Sequence, residues 1–448
     1  MRRARIPFLL LLATALAPAT ALPRPAAKKA ATKPAAPKPS PAARAVAVAI
    51  RAQAGGAARP FYAGRGFWPL WAADGHIGGE ASAFVTMLEQ ADRDRLDPAK
   101  YDPAGLAALL AAAKGKDPAA VARAEVALSN ALARYVGDLR RPAKTGALYL
   151  DATLKPRRPR AAEVLAGAAA VSDFPAYVRG AGWASPHYLR LRDALDRNRS
   201  ALTPEERGRA ARILDRARML PSPWVRHIVV DAASARLFAY EGGRQRAVMR
   251  VVAGAAETPT PMLAGHVRYA ILNPYWNVPT DLAARRIAPK IVAGASLAAL
   301  RYEALSGWTA DAAPIAQSAV DWEAVAAGKR EVRLRQLPGG DNAMGKVKFM
   351  FPNDQGIFLH DTPDKALMTK PDRHLSNGCV RLEDAPALGR WLLGKPLTAW
   401  PKRPEQAVPL ERPVPVHLTY LPATSTDAGL AFLPDVYARD GRSRAVTP

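Results

Sequence analysis

The hydrophobic period changes once along this chain, and that change limits the folds open to it. From about Val46 to Leu220 apolar residues recur at helical spacing, whereas from His227 they alternate as in strands. Asp117-Pro118 reads as an N-cap and first-turn pair, with Val121, Ala124, Leu128, Leu132, Tyr135 and Leu139 on one stripe behind it. Thr203-Pro204-Glu205-Glu206 is a capping box, and Ile213, Leu214, Ala217 and Leu220 share a face until Pro221 and Pro223 end the helix. Beyond it, His227 to Asp231, Arg236 to Tyr240 and Arg246 to Val252 read as strands, with Gly242-Gly243 as a hairpin turn. His266 to Leu272 continues the sheet, and Val347 to Phe351 and Gly356 to Leu359 resume it. Between them, residues 281–335 turn Ala-rich and helical, with a helix start at Asp321-Trp322-Glu323. An insertion of that size in a β-domain is often an active-site lid. Leu410 to Tyr437, with Pro415 to Tyr420 in it, reads as a closing hairpin. Helices first and strands afterwards imply an α+β chain: an all-helical domain over 46–222, then a mostly-β domain over 223–440.

The ends speak to location. Arg2, Arg3 and Arg5, the apolar run Ile6 to Ala17 and the small residues Ala19 to Ala21 form a secretory signal over 1–21, too short to span a bilayer. An uncleaved membrane anchor is the alternative. Residues 22–45 are nearly all Ala, Pro, Lys and Arg, which suits a semi-extended linker, and 441–448 form a tail. The formal net charge is +25. No nucleic-acid motif accompanies it and an export signal opposes that partner, so anionic envelope polymers or a negatively charged membrane surface are expected instead. A periplasmic protein follows, with no stable membrane span after cleavage.

Cys379 is the only cysteine. In an oxidising compartment a leftover thiol is either intermolecular or reactive. His360 precedes it by nineteen positions and supplies a base; Gly378 permits the sharp turn that exposes backbone N–H groups at Gly378 and Cys379 to an oxyanion. The bland alternative is a small buried hydrophobe. His374, five residues before Cys379, competes for the role of base. His76, His187, His227, His266 and His417 lack ligand spacing, so neither a metal nor a cofactor is expected. Phe61-Tyr62 and Trp68 to Trp71 read as helix packing rather than a sugar platform.

Ser376-x-Gly378-Cys379-Val380-Arg381, with His360-Asp361-Thr362-Pro363 ahead of it, resembles the L,D-transpeptidase signature. Asn273 to Pro279, Arg335-Gln336-x-Pro338-Gly339 and Asn342 to Phe349 resemble the large periplasmic branch of that family, the match being dense from about Met249 to Asp384. The resemblance implies an N-terminal scaffold domain, a mostly-β catalytic domain and a helical capping subdomain over the cleft. It implies Cys379 as nucleophile, His360 as base, and transfer of a peptidoglycan tetrapeptide stem to an amine of another stem, with thiol acylation by carbapenems. His374 falls where the motif is open and reads as a loop histidine. Phe358 stands where many relatives carry a tyrosine, and Asn377 where many carry histidine or serine. Arg381, Ser376, Asn377 and Trp276 are candidate substrate contacts, and the carbonyl or carboxylate of Asp361 is the candidate orienter of His360. No separate peptidoglycan-binding repeat is found between Tyr149 and Ala201. Water or a protein lysine as acceptor, a non-catalytic wall-binding protein, and recruitment by other wall-synthesis proteins remain open.

Overall fold

The computed structural model describes residues 40–309, 311–397 and 403–440. The expected signal segment, most of the linker and the tail lie outside them. The helical part starts earlier than its hydrophobic pattern suggests, since α1 runs Pro41–Gln53 with the Ser40 hydroxyl capping Ala43 N. Residues 41–45 therefore belong to the scaffold, because a serine cap and a proline at the first position override an Ala/Arg composition. There follow α2 (Arg59–Gly64), β1 (Ala72–Ala73), β2 (His76–Ile77), α3 (Glu80–Glu89), α4 (Pro103–Ala113), α5 (Pro118–Leu139), β3 (Leu148–Tyr149), α6 (Ala161–Ala169), α7 (Phe174–Arg179), α8 (Pro186–Asn198) and α9 (Pro204–Met219). The Asp117 carboxylate caps α5, and the Thr203 box caps α9. The α5 stripe is buried throughout. Beside it Glu125, fully buried, accepts from the Tyr62 hydroxyl and from the backbone N–H groups of Leu70, Trp71 and Ala72. The front aromatic cluster is thus packing, tied to α5 by one carboxylate.

The strands that follow are β4 (His227–Asp231), β5 (Arg236–Glu241), β6 (Arg244–Gly254), β7 (Leu263–Leu272) and β8 (Trp276–Val278). After α10 (Thr280–Leu282), a π-turn at Ala283–Ile287 and α11 (Ala288–Val292) come β9 (Tyr302–Leu305), β10 (Pro314–Ile315), α12 (Trp322–Ala326) and β11 (Arg333–Gln336). Then come β12 (Val347–Met350), β13 (Leu359–His360), β14 (His374–Ser376), β15 (Val380–Leu382), α13 (Ala385–Leu393), β16 (Gln406–Thr419), β17 (Ala423–Thr426) and β18 (Gly429–Phe432). Pairing runs β12-β13-β15-β6-β5-β4-β16-β7 and returns from β7 to β12, a closed circuit. Closure removes exposed sheet edges. Residues of one parity, including Ile228, Val230, Leu237, Val251, Phe349, Leu359, Val380 and Leu382, fill one core.

One expectation changes and one narrows. The insertion is not simply helical: β10-β9-β11-β8 form a four-stranded sheet packed on α10 to α12, with its own apolar cluster. Its strands are only two to four residues long, too short to show a period. Leu410 to Tyr437 does hold a hairpin, β17–β18, while Pro415 to Tyr420 lies ahead of it, mostly in β16, parallel to β4 and antiparallel to β7. The two expected domains also share one core. Val229, Phe238, Tyr240, Leu421, Ala423 and Leu430 pack with the scaffold helices, and β3 pairs with β7.

Candidate active site

The alternation of β13 and β15 builds the site. These strands are parallel, with Leu359 opposite Val380 and His360 opposite Arg381. Since Leu359, Val380 and Leu382 enter the core, Phe358, His360, Cys379 and Arg381 take the other face. The Val380 N–H donates to the Phe358 carbonyl at 3.1 Å, extending the pairing to the level of Cys379. On the far side β12 sets Lys348 opposite His360. Lys348, His360 and Arg381 thus form a row across the sheet, with Cys379 and Phe358 one step along it.

His360 is buried, and its Nδ1 donates to the Asp361 carbonyl at 2.6 Å. That bond fixes the ring and leaves the lone pair on Nε2, as a base requires. Burial, then the Arg381 charge, depress the imidazole to about 3. Cys379 is half-buried, its Sγ 3.5 Å from the Gly356 carbonyl. Burial pushes the thiol up to about 11, partly offset by the Phe358 backbone and Arg381. No hydrogen bond joins Cys379 to His360 in this structure; adjacent strands place both on one face. His374 is occupied elsewhere: Nδ1 faces the Asp372 carboxylate at 2.6 Å and Nε2 the Ala232 carbonyl at 2.8 Å. Both partners are acceptors, so no lone pair points to the thiol.

The turn before Cys379 is held from inside. Gly378 has φ +107°, a left-handed conformation that favours glycine. The Ser376 hydroxyl accepts from Gly378 N at 3.2 Å and donates to the Cys379 carbonyl at 2.6 Å. Thr260 Oγ1 donates to the Gly378 carbonyl at 2.8 Å. Ser376 is therefore a buried clamp of the turn. The Gly378 N–H is engaged by that clamp, while the Cys379 N–H makes no hydrogen bond among the described residues.

A family model for the L,D-transpeptidase catalytic domain matches residues 225–415, and a scaffold-domain model matches 56–195. Residues 225–415 are thus similar to the catalytic domain of the L,D-transpeptidases. A Haemophilus influenzae protein that carries the L,D-transpeptidase name provisionally is 30% identical over 221 residues, 48% of this chain and 44% of that protein. The match thus spans less than half of that relative's length. Two solved structures also align: an L,D-transpeptidase from Mycobacterium smegmatis and an avibactam carbamoyl enzyme titled Ldtfm. The first is 11% identical, with TM-score 0.22 over 43% of this chain and 58% of that one. The second is 14% identical, with TM-score 0.20 over 43% and 48%. Likenesses that low carry no argument.

The other expected site residues fall into place unevenly. Asn377 is exposed at the turn. Arg381 is half-buried and makes no ion pair among the described residues. Burial lowers its guanidinium; Asp364 and Cys379 counter this, and Arg286 of the π-turn adds to it. Trp276, partly buried, packs on the cap cluster near Tyr302, ring centroids 6.5 Å apart. The Asp361 carboxylate, unlike its carbonyl, faces away from His360, accepting from Lys346 N at 3.0 Å and Lys365 Nζ at 2.8 Å. Sequence reasoning gave no role to Lys348, which pairs with Glu405 at 3.1 Å, or to Thr260. Lys348 was findable as the lone charge between Val347 and Phe349 in an apolar strand. Gln336 and Asn342 bind one another's loop through backbone groups at 2.9 to 3.2 Å, so their motif joins cap to sheet. No helix among the described residues is long and apolar enough to cross a membrane.

Proposed function

We propose that this chain is an exported peptidoglycan L,D-transpeptidase with Cys379 as nucleophile and His360 as its base. The observation that carries the reading is the shared face of β13 and β15, where an oriented buried imidazole, the only thiol and an unpaired guanidinium adjoin. His360 Nε2 takes the thiol proton as Sγ attacks the carbonyl after the third residue of a tetrapeptide stem. The Cys379 N–H receives the developing oxyanion. His360 returns the proton to the departing amine, so D-alanine leaves and a thioester remains. An amine of a second stem attacks it, loses its proton to His360 and regenerates the thiol, giving a 3→3 cross-link. Arg381 reads a stem carboxylate, and the cap covers the donor.

The test is mass spectrometry of residues 40–448 incubated with disaccharide-tetrapeptide. Free D-alanine and a dimer short of one D-alanine are expected, and Cys379→Ala abolishes both. A tripeptide without dimer would make water the acceptor. Release that survives Cys379→Ala would remove the mechanism.

A further inference from the structure

A cavity of about 940 Å3 lies away from Cys379, between α8, β5, the segment 371–374 and the end of the chain around 421–436. Its charges are unbalanced. The lining carboxylates are already engaged: Asp231 accepts from Ala233 N, Leu421 N and Ser234 Oγ, and Asp372 accepts from His374. Three lining guanidinium groups form no close ion pair among the described residues, Asp372 and Glu383 acting on Arg373, and Glu383 on Arg236, only from farther off. Arg190 reaches His187 Nδ1 at 3.3 Å and the Phe238 ring at 5.8 Å. Arg236 is exposed and makes neither hydrogen bond nor ion pair among the described residues. Arg373 donates to the carbonyls of Lys370 and Ser234, and its buried Nε has no acceptor. Three guanidinium groups facing two lining carboxylates that are already hydrogen-bonded leave the lining net positive, so the site favours an anion.

We infer that this cavity is a second, non-catalytic site for a carboxylate-bearing wall peptide, which holds one stem while another is processed at Cys379. The inference rests on the substrate reading given under the proposed function. Guanidinium forks match carboxylates two bonds at a time. Phe238, Leu421, Leu433 and Pro434 form an apolar wall that peptide side chains would cover and a phosphodiester chain would not. The volume falls within the range that encloses ligands of several residues or rings. The segment that supplies Arg373 runs straight into β14 and the Cys379 turn, so a polymer bound here raises the local concentration of its neighbouring stems at the thiol.

The experiment titrates disaccharide-tetrapeptide into full-length Cys379→Ala protein by calorimetry, with and without Arg190→Glu plus Arg236→Glu. Two binding events are expected, one of which weakens about tenfold or more on charge reversal while the other stays. Arg236→Gln, which removes charge without reversing it, weakens the same event less and controls for folding. With Cys379 intact, the reversed variant keeps its rate of thiol acylation by a carbapenem but needs about tenfold more polymeric substrate for half-maximal rate. Unchanged binding in the reversed variant overturns the inference, as does a cavity that takes a glycerol-phosphate oligomer and not the peptide. Arginine-dependent peptide binding in a protein that never releases D-alanine would uphold this site while removing the proposed chemistry.

Discussion

Cys379 and His360 are both uncharged at neutral pH, the thiol raised to about 11 and the imidazole lowered to about 3 by burial. A preformed thiolate–imidazolium pair would need the opposite shifts. On the proposed mechanism the proton therefore moves while the substrate is attacked, which makes reactivity toward a simple electrophile a direct readout. Alkylation of Cys379 by iodoacetamide should be slow at pH 7 and climb about tenfold per pH unit toward 11, since only the thiolate reacts. A plateau below pH 7 would show that the pair is ionised after all. Both residues stand out as candidates in the sequence, because motif order and the lone thiol need no geometry. The clamping role of the Ser376 hydroxyl does not: one atom's direction decides between gripping substrate and clamping a turn, and spacing is blind to it. The same holds for Asp361, whose carbonyl rather than carboxylate turned out to hold His360.

Gly345 illustrates how an element's loop governs the base. Its φ is +58°, and a Cβ there would stand 2.5 Å from Asp361 Oδ2. Asp361 would have to shift, and its carbonyl is what orients the His360 ring. Gly345→Ala should cost about 1–3 kcal/mol of stability through strain. It should also lower kcat on the order of a hundredfold through a misplaced base, measured with tetrapeptide turnover beside a thermal melt. Wild-type kcat with only the melt lowered would confine the glycine to a structural part. Among the elements, the long strands and capped helices were readable, since period and caps are local signals. The cap's small sheet was not, because its strands from Tyr302 to Gln336 are held by pairing between distant segments rather than by any periodic stripe.

Across the whole molecule, the seam between scaffold and sheet is lined by histidines kept neutral. His187 and His417 are depressed to about 3 and His227 to about 4, in each case chiefly by burial. His227 and His417 each leave a buried Nε2 without a partner. A histidine whose folded value lies below its unfolded value near 6.5 supports the fold fully above that pH. Its support fades as pH falls toward the folded value, because the unfolded chain then binds the extra proton. The unfolding free energy should accordingly hold from pH 8 to 7 and fall steeply between about 6.5 and 4, by on the order of several kcal/mol in all, with the melting temperature falling alongside. His417→Gln should flatten that drop; a profile level down to pH 4 would mean the seam already admits water. The +25 charge was plain in the sequence, but this seam was not, since Phe238 and Leu421 join the helices across hundreds of residues. That shared core also sets an order of events during synthesis. Asn198 of α8 bonds to Leu430 in both directions, and Arg216 of α9 is paired with buried Asp440. Helices made early thus wait for the final stretch of chain, and a product stopped at residue 420 should stay open to protease throughout the part already made.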